Sequence, residues 1–214
     1  MTSDAARTIL LGDWNRVVRD PLDVMRLAFL GGAVGFALAG DTKGAFNLAL
    51  GFAVLVAARL ANLPRVYDLA VVVALTLTQV GEALGLYDSI GWYDRVVHFL
   101  VPMLSSQVLY LCLARLEVLP DPRQETLRHH HAGMFVVTFA LGLAVGALWE
   151  VFEWSSDGVF GSNLSEGNTD TVGDLIADAS GALAGGALMV LWAMRGWGSV
   201  RRIPGDNRME ATRG

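Results

Sequence analysis

The sequence predicts an all-α fold: a polytopic integral membrane protein of six transmembrane helices, with N-terminus and C-terminus both cytoplasmic. Three observations predict it. Hydrophobic residues make up 53% of the 214 residues and charged residues only 17%, against about 25% charged in an ordinary soluble domain. The apolar residues lie in long runs. The basic residues fall almost entirely at alternate gaps between those runs. Residues 1–214 are expected to form a single membrane domain, because the segments outside the runs leave no room for a second, soluble one.

A hydrocarbon core of ~30 Å needs about 20 apolar residues at ~1.5 Å each. Six segments approach that length: 24–40, 44–61, 67–86, 93–115, 132–154 and 172–194. The first two are the shortest. Gly31/Gly35 in the first, Gly142/Gly146 in the fifth and Gly181/Gly185 in the sixth have the small-xxx-small spacing that lets helix backbones approach closely, so they are expected to pack helices. The third span carries Glu82 about one turn from its outer end. The fourth opens with Tyr93-Asp94-Arg95 and has His98 one turn further on. Its Pro102 removes the backbone bond to the His98 carbonyl and predicts a kink there. Ser105, Ser106 and Gln107, in mid-span, are suited to hydrogen bonds with a neighbouring helix. Cys112, in the same span, is the single cysteine, which excludes an intramolecular disulfide.

Orientation follows from the basic residues. With the N-terminus inside, Arg7, Arg16, Arg19 and Arg26 precede the first span. Arg59 and Arg65 lie at the second inner region, and Arg115, Arg123 and Arg128 at the third. Arg195, Arg201, Arg202, Arg208 and Arg213 lie in the tail. Of the 16 basic residues only Lys43 and Arg95 then fall outside, as the positive-inside rule requires. Tyr87, Trp92, Tyr93, Trp149 and Trp154 mark the outer boundary, and Trp14, Trp192 and Trp197 the inner one. In residues 1–20, Asp13, Arg16 and Arg19 interrupt any signal-peptide apolar core. Ile9, Leu10, Trp14, Val17 and Val18 suit a short interfacial helix instead. Arginine in place of lysine almost throughout points to a GC-rich bacterial genome, and so to the bacterial cytoplasmic (inner) membrane. The expected partners are the lipid bilayer and a lipid-linked small molecule; nothing in the sequence calls for nucleic acid.

Ionisable groups inside spans are costly in hydrocarbon and usually face the bundle interior or a water-filled cavity. Asp94 and His98, at i and i+4, share one helix side. Glu150, Glu153 and Asp157 form an i, i+3, i+7 stripe, and Asp170, Asp174 and Asp178 an i, i+4, i+8 stripe. The start of the fourth span, the end of the fifth and the start of the sixth all lie outside, so the three stripes reach one depth. Turned inward together they line an outward-open polar cavity. On this outer half Asp41, Glu82, Asp88, Asp94, Glu150, Glu153, Asp157, Glu166, Asp170, Asp174 and Asp178 face only Lys43 and Arg95. Carboxylates so crowded do not all stay ionised in a low-dielectric site unless a cation joins them. Oxygen ligands suit Mg²⁺, Ca²⁺ or Mn²⁺, and an added imidazole admits Zn²⁺ or iron.

The simplest alternatives are local. Asp88, Asp157, Glu166 and Asp170 read as solvated loop or helix-end acids. Asp170 and Asp174 complement a helix dipole, with Thr169 or Asp170 as N-cap. His129, His130 and His131 read as a solvated cytoplasmic run. The polar, Gly-rich segment 155–170 holds the sequon Asn163-Leu164-Ser165 and matches no EF-hand pattern. It reads as an outer loop able to act as a lid.

The order Tyr93-Asp94-x-x-x-His98-Phe99, Trp149-Glu150-x-x-Glu153-Trp154-x-x-Asp157 and Asp170-Thr171-x-x-Asp174-x-x-x-Asp178-x-x-Gly181-x-x-x-Gly185 resembles the bacterial inner-membrane proteins typified by YjdF. That resemblance covers most of the chain and implies no particular activity. Residues 92–190 are more distantly similar to the VanZ-like proteins, which are linked to low-level glycopeptide resistance. The VanZ-like pattern runs Asp-Lys-x-x-His-Phe, Glu-x-x-Gln, Asp-x-x-x-Asn-x-x-Gly. Here Arg95 replaces its lysine, and Glu153 and Asp178 replace its two amides. Both later changes make the site more acidic and favour a metal.

Three functional expectations follow. The first is a membrane enzyme acting on a lipid or lipid-linked headgroup. Glu150, Glu153, Asp174, Asp178 and His98 would hold a divalent cation, and Asp94, His98 and Glu153 would carry the chemistry. Glu82, Arg95, Trp149, Trp154, Asp157 and Asp170 would line or cover the cavity. The second is a small proton- or cation-coupled transporter using the same acids as a relay, with Asp68, Ser105, Ser106 and Gln107 as its thin inward trail. The third is a non-catalytic protein whose acidic cluster is structural or binds a partner.

Overall fold

The fold is taken from a computed structural model of the chain, which describes residues 21–61, 63, 65–122, 127–160 and 167–195. Among these residues the regular structure is entirely helical. The elements are α1 (Pro21–Leu38), α2 (Thr42–Leu60), α3 (Arg65–Leu75) running into a π-helical turn (Thr76–Val80) and α4 (Gly81–Ala83), then α5 (Leu86–Ser89), α6 (Tyr93–Arg115), α7 (His130–Phe160) and α8 (Asn168–Arg195). Arg7, Trp14, Arg16, Arg19, Arg123, the sequon at Asn163, Glu166, Trp197 and the basic residues from Arg201 onward lie outside the described residues, as does the interfacial segment around Ile9–Val18.

Five of the described segments are long and apolar enough to cross a membrane: Thr42–Leu60, Val66–Ala83, Tyr93–Arg115, His130–Val159 and Asn168–Met194. The first predicted span, 24–40, corresponds to α1, which is not among those five. With Asp23 and Arg26 in its first two turns, only its later part is free of charge. Asp41 caps α2, its side chain accepting from the Gly44 amide at 3.0 Å. At 31 and 28 residues, α7 and α8 exceed the length that a ~30 Å core needs at ~1.5 Å per residue. The predicted polar loop 155–170 is largely absorbed into them, because α7 continues to Phe160 and α8 begins at Asn168. Ser155, Ser156 and Asp157 tolerate helix, and Ser156 is buried there.

The chain divides into two compact units, one ending at Leu75 and one beginning at Thr76. In the first, α1, α2 and α3 pack together around Phe29, Leu55 and Tyr67. Here the structure departs from the sequence reading. Arg26 is buried: it pairs with Asp23 at 2.9 Å and with Asp68, and its Nε donates to the Leu55 carbonyl at 3.3 Å. Arg59 adds a contact to Asp23 at 3.3 Å. Two guanidinium groups and two carboxylates cancel, which is what lets them leave water. Asp68 is therefore engaged in an ion network. Gly31 and Gly35 face open space, so the predicted packing role does not hold for them; Gly32 meets Leu48 instead.

In the second unit α6, α7 and α8 pack pairwise. The other two glycine pairs do what their spacing predicts. A Cβ on Gly142 would meet Ala182 Cβ at 2.6 Å, and one on Gly185 would meet the Met103 carbonyl at 2.7 Å. A Cβ on Gly181 would collide with the Phe99 carbonyl, and one on Gly146 with the Asp178 carboxylate. Polarity is inverted. Val151, Phe152, Ile176 and Leu183 are more than half exposed, whereas His98, Asp174 and Asp178 are buried. An apolar exterior around a buried charged interior is the arrangement a bilayer imposes.

Two sequence readings fail in this unit. Ser105 and Gln107 bond back to their own helix, at the Val101 and Met103 carbonyls (2.7 and 2.9 Å), and Ser106 to the Met103 carbonyl at 3.4 Å. Serine hydroxyls in a helix find the carbonyl one turn back before they reach a neighbour, and the Gln107 amide folds back onto its own helix in the same way. His130 is buried at the start of α7, its Nε2 3.2 Å from the Pro122 carbonyl, while His129 is exposed.

Candidate functional site

His98 is the centre of the site. It lies on the second turn of α6, 4% exposed. Its Nδ1 is 3.1 Å from Asp178 Oδ1 and 3.7 Å from Glu150 Oε1, and its Nε2 is 3.5 Å from Asp94 Oδ1. The imidazole thus has α8 and α7 on one ring edge and its own helix on the other. The close approach comes from the glycines: Gly146, one turn before Glu150, leaves room for the Asp178 carboxylate, and Gly181, just beyond Asp178, lets α8 press onto the Phe99 carbonyl.

Parts of the three predicted stripes meet around His98, while Asp157 and Asp170 lie outside both ligand groups. Two groups of side chains place their ligand atoms within 4.8 Å of one another: Asp94, His98 and Asp174; and His98, Glu150 and Glu153. Glu150 Oε1 and Asp178 Oδ2 are buried without a hydrogen-bond partner among the described residues, and Asp174 Oδ1 is buried against the Arg95 guanidinium. The two groups differ in charge balance. Arg95 lies over α8, where Gly173 makes room for its guanidinium. Its Nε is 3.1 Å from Asp174 and its Nη2 3.4 Å from Asp170. Asp174 therefore has a guanidinium beside it, whereas Glu150 lies 3.7 Å from the His98 ring. Glu153 is oriented by Trp149, whose indole N–H donates to it at 2.8 Å.

The remaining candidates are less central. Asp170 belongs to the Arg95 clamp. Glu82 and Asp157 are half-buried and in neither ligand group. Trp154 is 75% exposed and does not line the cavity beside His98. Burial, reinforced by the charges of Tyr93, Asp94, Glu82 and Glu153, pushes the Tyr87 phenol well above its ordinary range. Tyr87 packs edge-on against Tyr93, whose hydroxyl donates to the Leu77 carbonyl in the π-helical turn at 2.7 Å.

Beside the cluster is a cavity of about 300 Å³, lined by Thr78, Val97, His98, Val101, Pro102, Val145, Gly146, Leu148, Trp149 and Asp178. Most of its wall escapes a reading aimed at charged residues. The available signals were indirect: a Thr76/Thr78/Gln79 polar interruption in an apolar span, and Gly146 one turn before Glu150.

The profile of the family described as "Predicted membrane protein (DUF2238)" matches residues 27–195, which include all the site residues. The chain belongs to that family. The DUF2238 match agrees with the YjdF-type resemblance in pointing to a membrane family, while the VanZ-like similarity rests on the residue pattern alone. Within the bacteria, an uncharacterized protein of Thermotoga maritima is 28% identical over 102 residues, 47% of this chain. The aligned region covers 49% of that relative, so the chain spans about half its length. No solved structure matches the chain.

Proposed function

We propose that this DUF2238 protein is a bacterial inner-membrane enzyme that uses an outward-facing divalent cation to act on a lipid or lipid-linked headgroup. One observation carries the reading: the buried carboxylates of Glu150 and Asp178 both approach Nδ1 of a single buried imidazole, and each keeps an oxygen, Glu150 Oε1 and Asp178 Oδ2, without a hydrogen-bond partner among the described residues. Leaving such acceptors unsatisfied is expensive, and a divalent cation satisfies them together. We assign the cation to His98, Glu150 and Glu153, with Asp178 beside them, because Asp174 already has Arg95. A carboxylate set with one imidazole fits Mn²⁺, Zn²⁺ or Fe²⁺. A bound cation would supply Lewis acidity. Asp94, half-buried and 3.5 Å from His98 Nε2, is the candidate base.

In this reading α1 is the sixth span and both termini are cytoplasmic. The buried Arg26–Asp23–Asp68–Arg59 network makes the charged start of α1 tolerable near the inner boundary. Labelling intact cells with a membrane-impermeant thiol reagent tests it, using single cysteines in a Cys112→Ala background. Ser89→Cys should react and Leu127→Cys should not; the reverse pattern rejects the orientation.

The transporter reading has less support. A relay needs polar groups that continue along the helices, but Ser105, Ser106 and Gln107 turn back onto α6 and Asp68 is held by Arg26.

Elemental analysis of detergent-purified protein, prepared without chelators, tests the cation directly. Wild type should carry near-stoichiometric metal and Glu150→Gln/Asp178→Asn should not. Equal metal in both would reject the assignment.

A further inference from the structure

The cavity beside His98 is larger than the carboxylate cluster needs and chemically unlike it. Val97, Val101, Val145 and Leu148 form its walls, and His98 and Asp178 stand at one end. Walls of this kind suit hydrocarbon, and an apolar cavity of ~150 Å³ already takes a benzene-sized molecule. The volume here is about 300 Å³, at the small end of ligand sites, which run from about 300 to 1,000 Å³.

Three features decide what fills it. The wall comes from α6 and α7, two of the segments able to cross a membrane. Val97 lies deep, at 5% exposed, whereas Leu148 is 69% exposed, so the lining runs from the interior to the bilayer-facing surface. The polar end shares His98 and Asp178 with the cluster, so an occupant with an apolar body and a polar terminus meets both environments in register. The π-helical turn brings Thr78 to the same wall, and single π turns in α-helices often mark functional sites.

We propose that the cavity holds the alkyl chain of a membrane lipid, entering past Leu148 and presenting its polar end to His98 and the acids. This inference rests on the reading of the cluster as a lipid-headgroup site and adds how the substrate is gripped. Apolar walls beside a polar end match a hydrocarbon body better than a water-soluble one, and binding energy from a non-reacting tail is what positions a headgroup for chemistry.

The test is photo-crosslinking in proteoliposomes with a phospholipid carrying a diazirine in mid-acyl chain. Adducts are mapped by mass spectrometry, and bound Mn²⁺ is measured on the same samples. Wild type should give adducts on Val97 and Val101. Val101→Trp should reduce the Val97 adduct about ten-fold, the ratio that about 1.4 kcal/mol of lost affinity corresponds to, with Mn²⁺ content unchanged. Val97→Ala, which widens the cavity without filling it, should keep the Val101 adduct and guards against a misfolded tryptophan variant. Labelling confined to bilayer-facing residues such as Ile176 and Leu183 would overturn the proposal. So would a Val97 adduct undiminished in Val101→Trp. Cavity labelling in protein that binds no Mn²⁺ would support the tail site and reject the cation alone.

Discussion

His98 Nδ1 and Asp178 Oδ1 lie 3.1 Å apart across the α6–α8 interface, and the contact depends on two glycines that carry no chemistry. Gly146 of α7 is the surface against which the Asp178 carboxylate rests, and Gly181 lets α8 touch the backbone of α6. The site is thus assembled by helix packing, and its chemistry and stability are tied to the same positions.

A methyl group at Gly181 would strike the Phe99 carbonyl, which cannot swing away as a side chain can. Gly181→Ala is expected to cost about 1–3 kcal/mol through overpacking, read as a lower unfolding midpoint in detergent. Gly31→Ala, whose new methyl meets nothing within 4 Å, should be neutral or stabilising by up to ~1 kcal/mol from helix propensity. Equal losses at both positions would contradict the assigned packing.

Removing one member of the Arg26–Asp68 pair strands a buried charge. Asp68→Asn should destabilise by about 3–5 kcal/mol. Arg26→Met/Asp68→Asn should recover part of that loss, because the Asp23–Arg59 contact at 3.3 Å remains neutral. Thermal unfolding of the three proteins in one detergent measures both effects, and a double variant no better than the single would show that the pair is not the source.

The two ligand groups around His98 make separable predictions. If the cation sits with Glu150 and Glu153, then Glu150→Gln loses metal while Asp94→Asn retains it. Elemental analysis that finds the opposite order would move the cation to the Asp94, His98 and Asp174 group.

Arg95 is half exposed, with 49% of its side chain accessible, so its ion pairs contribute little to stability, about 0–1 kcal/mol. Their effect is electrostatic. Arg95→Ala removes the positive charge 3.1 Å from Asp174 and should tighten Mn²⁺ binding while leaving the unfolding midpoint nearly unchanged. Weaker Mn²⁺ binding in this variant would mean that Arg95 positions the acids.

The sequence by itself determined the membrane class, the approximate positions of the long helices and the acidic stripes. These depend on local quantities: run length, apolar content and the 3.6-residue period that puts Glu150 and Glu153, or Asp174 and Asp178, on one face. The tertiary structure decided what those faces meet. Burial of Arg26 depends on Asp68, which is far away in the chain, so a rule that counts arginines between spans sees only a charged loop. Ser105, Ser106 and Gln107 satisfied themselves within one helix, an outcome no spacing distinguishes from a bond to a neighbour. The cavity beside His98 is made by valines that look like any other apolar residue until four elements enclose them. Periodicity is a property of one helix, whereas ion pairing, orphaned oxygens and cavities are properties of several, and these appear only when the helices are brought together.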